Sequence, residues 1–335
     1  MVKPNITMLC SDISHMPLLF VWRDSGVAQR HGFDLTVHIS AVEVPGQPFV
    51  KMSERGPKLL DGTYDFLSGL HHETYIYRAR GDKRFIYMAQ AQNDWDDRIV
   101  AADGVSSPKD LEGKRLVVTS NAPCVMGNMK HSIQAGGADL DKIDFVVLEG
   151  PKNFVCRDAV EEVAAGRAWA AAVDIPFDLR GEKRGLHRLP IPSVPVIHNA
   201  TICANREWVV ENQDSAIAYL KSMIDAIHFF KTEKQKVCEI LERDLAPLIG
   251  LEGADELEHL HAGWAQLLSA KPYPHPLAVW NVYNLDVAHD PDVNFIGPFE
   301  IWDTSYLRTI DDSGYIDALY GGARKALNPP VMPVI

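Results

Sequence analysis

Between residues 6 and 173, short apolar runs alternate with stretches of helical spacing, and this alternation restricts the chain to an α/β architecture. Ile6–Cys10 reads as a strand and Pro17–Gln29 as a helix stopped at Gly32. Phe33–Ile39 reads as a second strand, Phe49–Leu60 as a weak helix, Tyr64–Ser68 as a short buried strand, Thr74–Arg80 as a helix and Phe85–Ala91 as a strand. A second unit starts near Arg98 with Ile99-Val-Ala-Ala, a turn at Ser107–Gly113, and a strand at Arg115–Thr119. It continues with a helix from Cys124 to Ala135 ending at Gly136-Gly137, a strand at Phe145–Leu148, a helix at Arg157–Ala165, and a strand at Ala170–Val173.

The character then changes. Asp214 is placed to cap a long helix carrying Ile217, Leu220, Ile224 and Ile227, and Glu239–Leu245 and Glu252–Leu268 also read as helices. From Lys271 the chain is rich in Pro, Asn and aromatic residues, with turns expected at Tyr273-Pro-His-Pro and Gly297-Pro and one helix from Asp303 to Leu319. Its aromatics are expected to cover one lobe, with a rigid lid over a cleft as the alternative, and Asp311-Asp312 to cap a helix or lie in solvent.

At 335 residues the chain is long for one core and suits two lobes. A formal charge of −12 without a basic stripe excludes nucleic acid as the main partner, since the densest basic run, Arg180–Arg188, is broken by Glu182. No apolar run is long enough for a membrane span. Five cysteines (Cys10, Cys124, Cys156, Cys203, Cys238) form no CxxC pair, and four lie among apolar residues. That usage, with no signal-peptide pattern ahead of Ile6, points to a cytoplasmic protein, or a periplasmic one if a leader was removed.

Four segments in order resemble the type II periplasmic-binding-protein superfamily, in its branch of nitrate-, sulfonate- and thiamine-precursor-binding proteins of ABC transporters. They are Met16-Pro-Leu-Leu-Phe-Val-Trp22 with His31-Gly-Phe-Asp-Leu35; Leu60-Asp-Gly-Thr-Tyr-Asp-Phe66; Asp110-Leu-Glu-Gly-Lys-Arg-Leu116; and Val163-Ala-Ala-Gly-Arg-Ala-Trp-Ala-Ala-Ala-Val-Asp174. The resemblance implies an α/β fold of two lobes with a ligand cleft between them. Lobe one comprises residues 1–97 plus 205–335, including a C-terminal helical extension, and lobe two comprises 98–204. Trp95–Arg98 and Thr201–Asn205 are the implied crossings.

Ligands of open α/β sheets sit beyond the carboxyl ends of the strands, which makes the following loops the candidate site. After strand one come Ser11, Asp12, Ser14 and His15, as ligands of an anionic group at a helix start or, for Asp12 and Ser14, as plain helix caps. After strand three come Gly69, His71, His72 and Glu73, able to exchange protons near neutral pH. Ser120, Asn121 and Cys124 open the lobe-two helix, where a thiol at the positive helix end suits a nucleophile or a small side chain beside the ligand. Asp174, Phe177 and His198 complete the set, Phe177 as an aromatic wall.

Metal signals are weak, because adjacent histidines point apart and Glu256 with His259 gives only a lone ExxH. There is no GxGxxG, GK[ST] or GxSxG motif, so no cofactor is expected. Two functions are implied by the resemblance taken with these residues. One is a solute-binding protein for a small anionic or aromatic carboxylate-type ligand, partnered by an ABC permease if exported. The other is a cytoplasmic acid–base lyase of decarboxylase type on the same scaffold, with His71 or His72 as proton donor and Glu73 and Cys124 beside it. A sensor domain is a third reading; oligomeric state is left open.

Overall fold

The computed structural model describes residues 1–10, 12–95, 97–120, 123–148, 152–197 and 199–322, without the side chains of residues 123, 124 and 152. Among the described residues, ten strands form two five-stranded sheets. The first is built from β1 (Asn5–Cys10), β2 (Asp34–Ile39), β3 (Phe66–Ser68) and β4 (Phe85–Gln90). The second takes β5 (Arg98–Ala101), β6 (Arg115–Val118), β7 (Asp144–Val147), β8 (Ala170–Val173) and β9 (His187–Arg188), after which β10 (Thr201–Asn205) returns to the first.

In the first sheet the order is β2-β1-β3-β10-β4, with β10 antiparallel to both neighbours. In the second it is β7-β6-β8-β5-β9, with β5 antiparallel to β8 and β9. β1 is an inner strand, and Ile6, Met8, Leu9 and Cys10 are all buried, as expected of a strand covered on both faces. Each sheet with its flanking helices forms one lobe of a two-lobe α/β fold.

Two of the family-like segments have a local physical reason. Asp65, almost fully buried, accepts hydrogen bonds from the Thr7 backbone N–H (2.9 Å) and from Lys3 Nζ (2.7 Å), pinning β1 beside β3. Asp110 closes a capping box with Ser107, its carboxylate accepting from the N–H groups of Ser106 (2.9 Å) and Ser107 (2.8 Å) ahead of β6.

Three expectations are corrected. Asp214 lies inside the helix Gln213–Thr232, and its carboxylate pairs with the N-terminal ammonium at 2.7 Å. The region after Lys271 contains an unforeseen helix, Pro276–His289, started by Pro276 in its first turn, with His275 Nδ1 accepting from the Leu277 N–H. The expected helix at Asp303–Leu319 is two, Ser305–Asp312 and Tyr315–Leu319, parted by Gly314 at φ +77°.

The C-terminal segment does more than cover one lobe. The Pro276–His289 helix packs on the helix Glu73–Ala79, and its Leu285 lies against Gly127 of the helix Pro123–Ala135. Asn281 Nδ2 donates to the Pro195 carbonyl at 2.7 Å. Further on, Tyr87 of β4 donates to the Ile301 carbonyl, and the Asp303 N–H donates back to Tyr87. Among the described residues, no helix is long and apolar enough to cross a membrane.

Candidate functional site

A cavity of about 250 Å³ is lined by the turns that follow strands of both sheets. From the first-sheet side come Asp12, Ile13 and Ser14 after β1, Ser40 and Ala41 after β2, and Phe49, Met52 and Arg55 from the next segment. From the other side come Asp97, Thr119, Ser120, Val125, Val155 and Asp174. Phe49 and Met52 are more than half exposed, so large apolar side chains stand at its rim.

Asp12 caps the turn Ile13–His15, its Oδ1 accepting from the Ser14 N–H (3.1 Å) and hydroxyl (2.9 Å). The start of that turn is therefore already occupied by the protein's own carboxylate, while Asp12 and Ser14 still line the cavity. Ser120 and Asp174 also line it. The Asp174 carbonyl accepts the Phe177 N–H at 2.9 Å. Phe177 itself is buried beneath the Arg180 guanidinium, 5.0 Å from its ring centroid, and is not among the lining residues. Ser11, Asn121, His198 and the Cys124 side chain lie outside the described residues.

The histidines are drawn together behind the cavity wall. His15 is buried, and its Nδ1 accepts from the Ala200 backbone N–H at 3.1 Å. A ring nitrogen that accepts from an amide carries no proton, so the Ser68 hydroxyl at 2.7 Å donates to the same atom. His71 stacks on His15 with ring centroids 5.4 Å apart. Leu70 (φ +63°) and Ala200 (φ +54°) are the non-glycine residues with positive φ among those described, and both abut this pair. Gly69, at φ +117°, supplies the turn out of β3 and donates to the Thr201 carbonyl at 3.2 Å. His72 Nδ1 is hydrogen-bonded to the Asp286 carboxylate of the C-terminal segment. Glu73 opens the Glu73–Ala79 helix, and its charge bears on Arg55.

Arg55, Asp97, Thr119, Phe49 and Met52 belong to the cavity but carried no signal in the residue pattern. Arg55 is its described cation. Burial lowers the guanidinium pKa from its ordinary value, opposed by Glu73 and Asp12, and its Nε is buried without a hydrogen-bond partner among the described residues. Asp97 stands inside the expected crossing Trp95–Arg98, which is where a search could have found it.

Among the described residues, the buried thiols of Cys10, Cys156 and Cys203 are poorly placed for nucleophilic work. Burial pushes Cys10 and Cys203 up to about 12, and burial with the nearby carboxylates of Asp174, Asp97 and Asp12 raises Cys156 too. No group of three metal-ligating side chains occurs among the described residues. Glu256 pairs with Arg180 and His259 with Asp178, which accounts for the ExxH pattern.

Several solved structures share this fold at low identity. The sulfonate-binding protein SsuA of Methylobacillus flagellatus KT, described as a putative periplasmic ABC-transporter component, is 14% identical, with a TM-score of 0.67, covering 100% of this chain and 99% of that one. The periplasmic nitrate-binding protein NrtA of Synechocystis PCC 6803 is 11% identical, with a TM-score of 0.62, covering 94% and 90%. A desulfurization enzyme, DszB, solved with biphenyl-2-sulfinic acid, is 12% identical, with a TM-score of 0.64, covering 93% and 100%. Comparison with curated proteins returns no match. The model of the NMT1/THI5-like family matches residues 58–235, more than half of the sequence, in agreement with the resemblance read from its motifs. The chain belongs to the NMT1/THI5-like family.

Proposed function

We propose that the protein is a solute-binding protein holding a small anionic or aromatic carboxylate-type ligand in the cavity between its lobes. Lobe one takes residues 1–97 and, because β10 (Thr201–Asn205) pairs in the first sheet, the described chain from residue 201 onward; lobe two takes the stretch between them. The observation that carries this reading is Arg55, a cation on the cavity wall whose Nε is buried and unbonded among the described residues. A buried guanidinium recovers its lost hydration from a planar anion that accepts two of its hydrogen bonds. Ile13, Phe49, Met52, Val125 and Val155 supply apolar walls for a ring. Asp12, Asp97 and Asp174 repel a second negative group, so the ligand's anion sits at Arg55 and the rest of it is neutral or donor-bearing.

Structural neighbours that are periplasmic binding proteins support an exported protein working with a membrane permease, in place of the cytoplasmic setting suggested by cysteine usage. The lyase reading has less support. Neither His71 nor His72 lines the cavity, and His72 Nδ1 is bonded to Asp286. An enzyme shares the fold, so the decision rests on the site.

Titration calorimetry with benzoate and 4-methylbenzoate tests the proposal. Wild type is expected to bind in the micromolar range and Arg55→Met at least tenfold more weakly. Equal affinity in Arg55→Met, or no binding by wild type, overturns it.

A further inference from the structure

Phe49 belongs to two spaces at once. It lines the cavity of about 250 Å³ between the sheets, and with Asn153 and Phe154 it also lines a recess of about 560 Å³. The other walls of that recess are Val42–Pro45 and Gln47, from the loop of residues 40–51 that joins β2 to the helix Met52–Leu60. Glu43, Pro45 and Phe49 are exposed, so the recess faces solvent. The two spaces adjoin at one ring that is 59% exposed.

The loop is held at two points. Ser40 and Val50, both buried, close its neck: the Ser40 hydroxyl donates to the Val50 carbonyl (2.6 Å) and accepts the Val50 N–H (3.0 Å). Farther out, Asn153 latches it from the chain that follows β7. Asn153 Oδ1 accepts the Glu43 N–H (3.1 Å), and Nδ2 donates to the Glu43 carbonyl (3.3 Å). Both latch bonds are exposed, so water replaces them at little cost when they open.

Parting the two sheets demands far more. The helices Phe177–Lys183 and Gly253–Leu267 are joined by the buried Arg180–Glu256 pair and by Lys183 with Asp255 (2.5 Å). On the opposite flank Leu285 packs on Gly127, and Asn281 donates to the Pro195 carbonyl. Opening along these flanks strands buried charge and uncovers apolar surface. Releasing Glu43 and turning an exposed ring does neither.

We infer that Phe49 is a gate: when Asn153 lets go of Glu43, the loop turns about its Ser40–Val50 neck and joins the outer recess to the inner cavity while the sheets stay together. This rests on the inner cavity being the ligand site, with the outer recess as its vestibule. Gating by a small loop needs only local opening, and it sets how fast a ligand enters and leaves.

The test needs no ligand. A Ser120→Cys protein carries a thiol on the cavity wall, and its reaction with methyl methanethiosulfonate is followed at residue 120 by mass spectrometry. Adding Phe49→Ala is expected to speed that reaction at least tenfold, and Asn153→Ala at least threefold. Leu285→Ala and Lys183→Ala, one on each flank, are expected to leave it within twofold. An unchanged rate in Phe49→Ala overturns the inference. So does a flank variant that speeds the reaction as much as Phe49→Ala, or a Ser120→Cys thiol that already reacts as fast as in denatured protein. Failure of benzoate to bind would count against the carboxylate reading alone, since the labelling rates decide the gate by themselves.

Discussion

His72 and Asp286, 214 residues apart, share a buried hydrogen bond between the imidazole Nδ1 and a carboxylate oxygen. It joins the turn after β3 to the helix Pro276–His289, and both side chains are at least nine-tenths out of water. Burial pushes the Asp286 carboxyl above its ordinary value, and the adjacent His72 opposes that push.

Removing the carboxylate takes from the buried His72 ring its charged partner at Nδ1, so Asp286→Ala is expected to cost about 3–5 kcal/mol. The double variant His72→Phe/Asp286→Leu is expected to recover most of that loss. Urea denaturation of the three proteins checks this. A loss below about 1 kcal/mol in Asp286→Ala refutes a structural pair.

Asp94, beside the crossing to β5, is pushed up to about 6 by burial. In the unfolded chain an aspartate releases its proton near pH 4, so between about pH 4 and 6 the unfolded state holds fewer protons than the folded one. Stability therefore falls as pH rises through that window. Asp94→Asn is expected to match wild type at pH 4 and to exceed it at pH 7 by about 1 kcal/mol, allowing for the solvent screening of a half-buried group. Denaturation curves at the two pH values decide it, and equal differences at both contradict the assignment.

Arg180 and Glu256 form a buried ion pair, with Nε donating to Oε1 at 2.8 Å. Arg180 Nη2 also donates to the Gly250 carbonyl (2.8 Å), and Glu256 accepts the Glu252 N–H (2.8 Å). Glu256→Ala strands a guanidinium between the helices Phe177–Lys183 and Gly253–Leu267, and is expected to cost about 3–5 kcal/mol. Arg180→Met/Glu256→Leu should come close to wild type in chemical denaturation. If the double variant is no better than the single one, the pair matters for more than charge compensation.

Gly127 sets a general rule against a close contact with the end of a leucine side chain. Alanine in place of a glycine inside a helix ordinarily gains about 1 kcal/mol. Here a Cβ on Gly127 meets Leu285 Cδ2 at 2.9 Å. Gly127→Ala is expected to lose about 1–3 kcal/mol by overpacking, and Leu285→Ala in the same chain to relieve part of the crowding. Thermal melts of the two variants settle the sign.

The strands of the first 175 residues were legible because each couples a short apolar run to a turn or helix stop, as at Ile6–Cys10 and Ala170–Val173. Sheet order was not legible from local pattern, since β10 enters between β3 and β4 from more than a hundred residues away. The helix Pro276–His289 escaped because its apolar residues are spread around the axis and flanked by prolines, so spacing gave no stripe to read.

At the cavity, the loops carrying Asp12, Ser14, Ser120 and Asp174 could be named from strand ends alone. Arg55 could not. It sits in the weakly patterned helix Met52–Leu60, and only tertiary packing shows that its guanidinium reaches the cavity wall. Phe177 was drawn toward the ligand by position, whereas its ring packs under Arg180.

The place of β10 has a consequence for how the chain is assembled during synthesis. Every strand of the second sheet lies between residues 98 and 188, so that sheet can close while the rest is still being made. The first sheet begins with β1 yet lacks an inner strand until residue 205, and β4 lacks its Tyr87–Trp302 neighbour until near the end of the described chain. The lobe begun first is finished last. Until then it presents unpaired strand edges to the cell, the stage at which a chaperone has most to do.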